Sequence, residues 1–359
     1  MLTTIVAFVI VLGILVFVHE LGHFILAKKL GVKILKFSLG FGPKLIGRKI
    51  GETEYQIAIV PLGGFVKPLG EDPHEDIATE EYHRSYWAQP IWKRTLIVVA
   101  GPFFNFFLAI ALFSTINLFG IPYYPPQIGE VSPGLPAEQA GLKKGDTVLS
   151  INGEGVKKWD DLSKVIRSSK GQELLLKVKR DHELLDVRVT PKASTQKNIF
   201  GEDTHVFVIG IIQPDQPLVE KVGPVEAAGS GLVQTWSVIK LTVVSIVKLI
   251  ERVIPAKTIG GPILIAHMAG EQARRGLLSL VLFTAVLSIN LGVINLFPIP
   301  ILDGGHFLFL SLEAILRKPI SIRKMEIAQQ VGLIFIILLM VFAFYNDLIR
   351  LFSPGGFKF

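Results

Sequence analysis

The chain has 359 residues, of which 50% are hydrophobic, a mean hydropathy of +0.50 and a formal net charge of +7. This composition excludes an ordinary soluble enzyme and is typical of a protein with several membrane spans and a globular part. The sequence contains no cysteine, which excludes disulfides and thiolate metal sites. We attribute the positive charge to membrane topology and expect no nucleic-acid partner.

Four apolar runs are long enough to cross a bilayer, which takes about 20 residues. They lie near residues 2–27, 96–121, 277–299 and 331–352. Eleven Lys/Arg lie between the first and second runs, several of them close to the helix ends, and four lie between the third and fourth, whereas residues 1–4 and 120–127 contain none; we therefore expect the two basic loops on the cytoplasmic side. The segment 122–276 is then expected on the opposite side. The first run lacks a basic leader region and a small-residue cleavage site, so we expect it to be retained.

The first apolar run ends in the motif His19-Glu20-Leu21-Gly22-His23. Histidines four residues apart share one face of a helix, and Glu20 lies close enough to that face to converge with them. Two neutral imidazoles can hold zinc together with a third protein ligand, and the glutamate can act as a base toward water, which is the metalloprotease pattern. The alternative is a chance match on a core helix, which is disfavoured because charged groups in an apolar segment are costly.

A third metal ligand is expected at Asp303, within the sequence NLFPIPILDGG that closes the third apolar run. The first and third runs have the same direction, so His23 and Asp303 both fall near the cytoplasmic ends of their helices. Pro298 and Pro300 would break the helix, and unwound backbone in a membrane has to line a cavity or be buried in protein. An ordinary helix end, with Asp303 among the lipid headgroups, is the alternative.

The second apolar run contains the motif Gly101-Pro102-Phe103-Phe104-Asn105. The glycine allows close helix packing, and the asparagine can form a hydrogen bond between helices. Taken alone, the motif favours a packing role. Beside the other two motifs, it predicts that Asn105 lines the active-site region.

The three motifs H-E-x-x-H, G-P-x-x-N and N-x-x-P-x-P-x-L-D-G together resemble the site-2 protease family of intramembrane zinc metalloproteases. They occur in the family's order, and the resemblance covers essentially the whole chain. It implies Zn²⁺ as the cofactor and Glu20 as the catalytic base. The zinc ligands that it implies are His19, His23 and Asp303.

The resemblance also implies what the enzyme acts on. Asn295 is expected to hold the substrate backbone, and we place Asn105, Pro298 and Pro300 in the same substrate-binding region. The implied substrates are single-span membrane proteins, such as a trimmed anti-sigma factor or remnant signal peptides, in a bacterial inner membrane. A helical peptide bond is shielded by its own hydrogen bonds, so local unwinding of the substrate has to precede hydrolysis.

Residues 122–195 are expected to form a PDZ-like α+β domain. Residues 131–153 predict a short helix, a glycine turn and a strand that ends at an Asn-Gly turn. The segment resembles a bacterial PDZ domain, and this resemblance implies a helix near 159–168 and strands near 173–180 and 183–190. Domains that this segment resembles bind extended peptides by strand addition. A steric screen that limits access to the membrane site is the alternative.

Two further regions accompany the predicted spans. Residues 31–94 contain short β-like runs. The resemblance implies that they form a cytoplasmic, membrane-associated β-hairpin or sheet, whose edge pairs with unwound substrate. A sheet with only a packing role is the alternative. Residues 196–276 are expected to be a linker with an amphipathic surface helix over 233–254, because a further span would place Asp303 opposite the histidines. The histidines without comparable ligand spacing are treated as non-catalytic: His74, His83, His182, His205, His267 and His306.

The predicted fold is therefore a polytopic α-helical membrane protein with four transmembrane helices, a membrane-associated β-hairpin or sheet and an inserted PDZ-like α+β domain. Its predicted segments are the spans 1–30, 95–121, 277–305 and 331–359, the β region 31–94, the PDZ-like domain 122–195, the linker 196–276 and a cytoplasmic loop 306–330.

One rival function is a non-proteolytic membrane scaffold or chaperone that binds envelope peptides. A metal transporter is another, but it needs a continuous polar path, and only one ionisable cluster is visible within the spans.

Overall fold

The computed structural model describes residues 1–72 and 75–353, and leaves undescribed the side chains of residues 61 and 62. His74 lies outside the described residues. The chain divides into two compact units. A helical unit comprises Met1–Ile116, Val225–Val247 and Pro255–Phe359, and a β-rich unit comprises Asn117–Pro224 and Lys248–Ile254.

Five helices in the described part of the chain are long and apolar enough to cross a membrane. They are α1 (Leu2–Lys29), α2 (Ile91–Phe119), α5 (Pro224–Ile250), α7 (Leu277–Asn295) and α9 (Ile322–Phe352). Four of them correspond to the apolar runs expected to span, although α2 ends at Phe119 and α7 at Asn295, before the predicted run ends at residues 121 and 299. The fifth, α5, is the least apolar of the five and covers most of the stretch predicted to lie along the membrane surface. The predicted count of four spans is therefore not confirmed by helix length and composition.

Helix α5 packs against two of the apolar helices of the helical unit. A Cβ on Gly231 would lie 2.4 Å from the Ser114 Oγ of α2, so the glycine permits close helix contact. Further along α5, the Thr242 hydroxyl donates to the Asn290 side-chain oxygen of α7 at 2.8 Å. The helix is thus fixed to α2 and α7 along one face, whereas Trp236 on another face is exposed.

Two shorter helices flank α7. Helix α6 (Pro262–Arg275) precedes it, and α8 (Asp303–Leu316) follows the loop 296–302. Residues 306–330 were predicted to form a cytoplasmic loop, but residues 306–316 lie in α8 and residues 322–330 lie in α9. The apolar spacing of these segments permits helices. The helical unit also contains two short 3-10 helices, Tyr82–Arg84 and Ala256–Thr258.

The β region of the helical unit consists of two long, bent strands, β1 (Ile34–Ile50) and β2 (Thr53–Pro68). Residues 36–39 of β1 have Cα partners in residues 54–57 on one side and in residues 64–67 on the other. The bends fall at glycines with positive φ, Gly42 and Gly63, where a side chain would be strained. Residues 64–68 therefore form an edge of the sheet, which we call the edge strand.

The opposite part of this sheet is apolar and exposed. Leu45, Ile46 and Ile59 are 57–68% accessible. An exposed apolar sheet surface is costly in water but compatible with a membrane interface. The sheet thus has the exposed apolar surface that the predicted membrane association requires.

The β-rich unit contains a four-stranded antiparallel sheet in the order β6-β5-β7-β8. Leu162 and Ile166 of one helix pack with strand residues such as Leu176 and Val178 in its core. Its elements in chain order are β3 (Ile121–Tyr123), β4 (Glu130–Val131), α3 (Pro136–Gln139), β5 (Thr147–Ile151), β6 (Glu154–Gly155), α4 (Trp159–Ser168), β7 (Leu174–Arg180), β8 (Glu183–Val189), β9 (Lys192–Lys197), β10 (Asp203–Val208), β11 (Ile211–Ile212) and β12 (Leu218–Glu220).

The helix and strands predicted after residue 153 have counterparts in α4, β7 and β8. The predicted domain end at residue 195, however, falls inside β9. Strand β10 pairs with β9, β11 pairs with β4, and β12 pairs with β3. The unit therefore continues to Pro224, because strand partners distant in sequence close it.

Candidate metal centre

The HELGH motif lies within the uninterrupted helix α1. His19 and His23 are one turn apart, and their Nε2 atoms are 3.3 Å from each other. His19 is 8% accessible, which is low for a polar side chain in an apolar helix. The helical period thus places both imidazoles on one face and directs them to a common point.

Asp303 is the first residue of α8, and its carboxylate reaches both histidines. Its Oδ2 is 3.1 Å from His19 Nε2 and 3.5 Å from His23 Nε2. The two glycines that follow make this approach possible: a Cβ on Gly304 would lie 2.2 Å from the Phe297 carbonyl oxygen, and one on Gly305 would be equally obstructed by backbone. The DGG sequence therefore lets the loop fold tightly against the start of α8.

The three ligand atoms suit a tetrahedral metal ion. They form a triangle with sides of 3.1, 3.3 and 3.5 Å. Tetrahedral zinc with ligand bonds of about 2.0–2.1 Å requires ligand separations of roughly 3.3–3.4 Å. The Asp303 Oδ2 atom is also buried without a hydrogen-bond partner. Two imidazoles and a carboxylate leave a fourth position available, which is the donor set of a catalytic zinc site.

Helix α2 orients the two histidines. The Nδ1 of His23 lies 2.8 Å from the Ile97 carbonyl oxygen, so Nδ1–H donates and the Nε2 lone pair remains available to a metal. The Asn105 Nδ2 lies 3.2 Å from His19 Nδ1, and the Asn105 Oδ1 is buried without a partner. A half-turn of this amide would provide an acceptor for His19 Nδ1–H. Asn105 is completely buried, so it contacts the histidine and is not accessible from the cavity.

Gly101 of the G-P-x-x-N motif lies directly against the histidine rings. A Cβ at this position would be 2.2 Å from His23 Nε2 and 2.8 Å from His19 Cε1. The glycine was predicted to serve close helix packing, and its contact with the histidine rings was not predicted. The signal that could have found it is its spacing from Asn105, since residues four apart share one helix face.

Asn295 is the last residue of α7, and its amide nitrogen lies 3.4 Å from His19 Nε2. The structure thus brings Asn295 to the same cluster as Asn105. It does not bring the two prolines there. Pro298 lines a separate apolar cavity of about 610 Å³, and Pro300 packs against Gly332 of α9.

A cavity of about 690 Å³ opens beside the cluster. Glu20 lines it next to the three candidate ligands and packs against the edge strand, since a Cβ on Gly64 would lie 3.1 Å from Glu20 Cγ. The whole edge strand, residues 64–68, lines the same cavity. His306, which the sequence analysis treated as non-catalytic, also lines it, one helical turn after Asp303. The Glu20 carboxylate, the three candidate ligands and a strand edge therefore share one cavity.

Known proteins with similar sequences agree with this chemistry. The sequence pattern of peptidase family M50 matches residues 7–339. The regulator of sigma-W protease RasP of Bacillus subtilis is 32% identical, with 97% of this chain and 99% of RasP covered. The zinc metalloprotease RasP of Geobacillus kaustophilus is 33% identical, with 98% and 99% covered. Among solved structures, the PDZ domain of an SdrC-like protein from Listeria monocytogenes is 21% identical over 26% of this chain and 93% of its own, with a TM-score of 0.21.

These comparisons confirm the predicted activity and cofactor, zinc-dependent proteolysis of the site-2 type. The non-proteolytic scaffold is not favoured. The chain belongs to peptidase family M50, the site-2 protease family of intramembrane zinc metalloproteases.

Proposed function

We propose that His19, His23 and Asp303 hold the zinc ion and that Glu20 is the catalytic base of an endopeptidase that cuts within or near a transmembrane segment. The observation that carries this assignment is the 3.1–3.5 Å triangle of ligand atoms. Glu20 lines the same cavity as the triangle. The family membership gives the reaction class, and the triangle supports the choice of residues.

The residues around the triangle have distinct parts in the proposed reaction. Zinc, when bound, supplies Lewis-acid chemistry that polarises a carbonyl and acidifies water. Glu20 takes a proton from water and later delivers it to the leaving amine. Asn295 donates a hydrogen bond to the substrate backbone from the end of α7. Ile97 and Asn105 keep the two histidines in the orientation that metal binding needs.

The substrate is proposed to pair with the edge strand as an extended segment. An exposed strand edge offers unpaired N–H and C=O groups to a peptide. Residues 64–68 present such an edge within the cavity, beside Glu20. A substrate helix that unwinds locally could add to this edge, and its peptide bonds would then be accessible to the base.

The enzyme acts on membrane protein substrates and lies in the lipid bilayer. We propose single-span proteins already trimmed on the outer side, such as an anti-sigma factor or a remnant signal peptide. The name of the Bacillus relative, regulator of sigma-W protease, supports the first class. We further propose a bacterial inner membrane, four spans with the metal centre toward the cytoplasm, and a PDZ-like β-rich unit on the outer side. The absence of basic residues from 1–4 and 120–127 supports this orientation, and α5, the least apolar of the five candidate helices, is the one proposed not to span.

The test is cleavage of a tagged single-span substrate in detergent by wild type and by Glu20→Gln. We expect wild type to cleave and the variant to lose cleavage by at least about 10³-fold while it binds one zinc ion, because only the proton transfer is removed. Zinc content is measured on both preparations. Full cleavage by Glu20→Gln would remove this residue from the mechanism, and absence of zinc from wild type would refute the metal centre.

A further inference from the structure

Helix α2 provides none of the three candidate ligands. One of its faces, however, contacts both histidines and the helix that carries Asp303. The Ile97 carbonyl orients His23, and Asn105 contacts His19. Gly101 lies against both rings. The spacing of these α2 residues is that of a single helix face. One turn before Ile97, Arg94 continues this face.

Arg94 forms a buried ion pair with Glu313 of α8. Its Nη2 donates to Glu313 Oε1 at 2.8 Å, and the two side chains are 5% and 15% accessible. The guanidinium is held from other sides as well: its Nε donates to the Gln89 carbonyl oxygen at 3.2 Å, and it lies 5.0 Å from the centre of the Trp87 ring. Arginine with several fixed contacts is suited to holding a carboxylate in a defined place.

The helix that Arg94 holds is the one that carries the third ligand. Asp303 begins α8, and Glu313 lies ten residues further, about 15 Å along the helix. The start of α8 is fixed by close backbone packing at Gly304 and Gly305. The contact with Arg94 fixes the helix near its other end. With two fixed points, the direction of α8 and the placement of the Asp303 carboxylate are both determined.

We propose that Arg94 and Glu313 are a positioning pair for the metal centre. Their ion pair holds α8 against α2, so that Asp303 reaches the two histidines. This inference rests on the proposed assignment of Asp303 as a ligand. It assigns to α2 the placement of all three ligands: His23 through a carbonyl, His19 through an amide and Asp303 through this ion pair. Loss of either charge leaves the other buried and unpaired, which frees the far end of α8.

The test measures the zinc dissociation constant of the full chain in detergent micelles, by competition with a chelator. Arg94→Gln and Glu313→Gln are each expected to weaken zinc binding by about 10–100-fold, the range seen when groups that orient metal ligands are lost. The exchanged variant Arg94→Glu/Glu313→Arg is expected to recover most of this loss. The control is Arg84→Gln, which breaks an exposed ion pair with Glu52 in the same unit and should bind zinc like wild type.

A readout that is independent of zinc separates positioning from general stability. The unfolding midpoint of the zinc-free protein is measured for each variant. If a single variant does not fold, the neutral pair Arg94→Met/Glu313→Leu replaces it, since apolar residues of similar size avoid an unpaired charge. Weak zinc binding by a folded variant supports the proposal. Folded single or neutral variants that bind zinc as tightly as wild type would overturn it. A wild type that binds no zinc would instead refute the proposed metal centre.

Discussion

At the scale of single residues, the proposed metal centre depends on neighbouring residues that are not themselves metal ligands. A zinc-binding histidine needs a partner for its second nitrogen, because that hydrogen bond fixes the tautomer and the ring orientation. The Ile97 carbonyl provides it for His23, and Asn105 lies at the corresponding nitrogen of His19. Gly101 leaves the space in which both rings stand.

Gly101→Ala should displace the two rings. The added methyl group would lie 2.2 Å from His23 Nε2, so the imidazole has to move. We expect zinc affinity to fall by about 10–100-fold, as for loss of an orienting contact. Metal competition with a chelator measures it. Gly13→Ala in α1 is the matched control, since a Cβ there meets no atom within 4 Å. Equal zinc affinity of both variants and wild type would contradict the prediction.

At the scale of elements, the edge strand combines two parts of the site. It lines the cavity beside the candidate ligands, and the backbone N–H of its Val66 interacts electrostatically with the carboxylate of Glu20, the proposed base. The same unpaired edge is available to an extended substrate. The strand thus connects substrate placement to the base.

Val66→Pro should reduce cleavage without loss of zinc. Proline removes the backbone N–H, and one lost hydrogen bond costs about 1–1.5 kcal/mol, or roughly a tenfold loss in kcat/KM. Cleavage of the tagged substrate and zinc content are measured together. Val66→Thr, which keeps the N–H and a β-branched side chain, is expected to cleave like wild type. A proline variant with undiminished cleavage would exclude the Val66 amide from the site.

An ion pair between two strand regions of the β-rich unit should make the stability of this unit depend on pH. Asp146 accepts two hydrogen bonds from Arg180, at 2.7 Å each. Burial raises the pKa of Asp146, but Arg180 and the Lys143 amide outweigh burial and hold this pKa below its ordinary value. A lowered folded-state pKa means that the stabilisation is complete above the unfolded pKa of about 4 and is lost as the pH falls below it.

Arg180→Gln should therefore destabilise this unit at neutral pH by about 2 kcal/mol, as expected for hydrogen bonds to a charged group. Below about pH 4, the difference in stability between the variant and wild type should shrink, because Asp146 becomes protonated in both proteins. This difference in stability is measured by amide hydrogen exchange of β5 and β7 in the full chain. Arg188→Gln, which breaks an exposed pair with Glu173, should change little. A difference that is constant with pH would refute the argument.

At the scale of the whole molecule, a buried carboxylate joins helices of the helical unit that are distant in sequence. Asp347 of α9 is 0% accessible and accepts backbone N–H groups at the start of α6. These come from Gly261 at 2.9 Å and from Ile263 and Leu264 at 3.0 Å. A helix N-terminus favours a negative charge. Helix α6 in turn packs on α1, the helix that carries the histidines.

Asp347→Asn should loosen the start of α6. The amide retains one acceptor but loses the charge, and hydrogen bonds to charged groups contribute about 1.5–3 kcal/mol. We expect faster hydrogen exchange at residues 263–266, with zinc still bound. Tyr345→Phe, at an exposed position of the same helix, is the control. Unchanged protection in Asp347→Asn would mean that apolar packing alone holds α6.

The sequence by itself determined the local parts of this protein. The four-residue spacing places His19 and His23 on one helix face whatever else the chain does, and long apolar runs have to become helices in a membrane because backbone groups need partners there. Asp303 was predicted as a ligand from its motif and from helix direction. The strands near 173–180 and 183–190 were expected because the segment resembles PDZ domains.

Only the tertiary structure decided which distant groups meet. The contacts of Asn105 with His19 and of Arg94 with Glu313 join different helices, and no local spacing encodes them. The same holds for the β-rich unit, which closes through strands beyond residue 195, and for α5, whose contacts with α2 and α7 its composition did not reveal. Local periodicity fixes the face that a helix presents, whereas packing of the whole chain fixes the partner of that face.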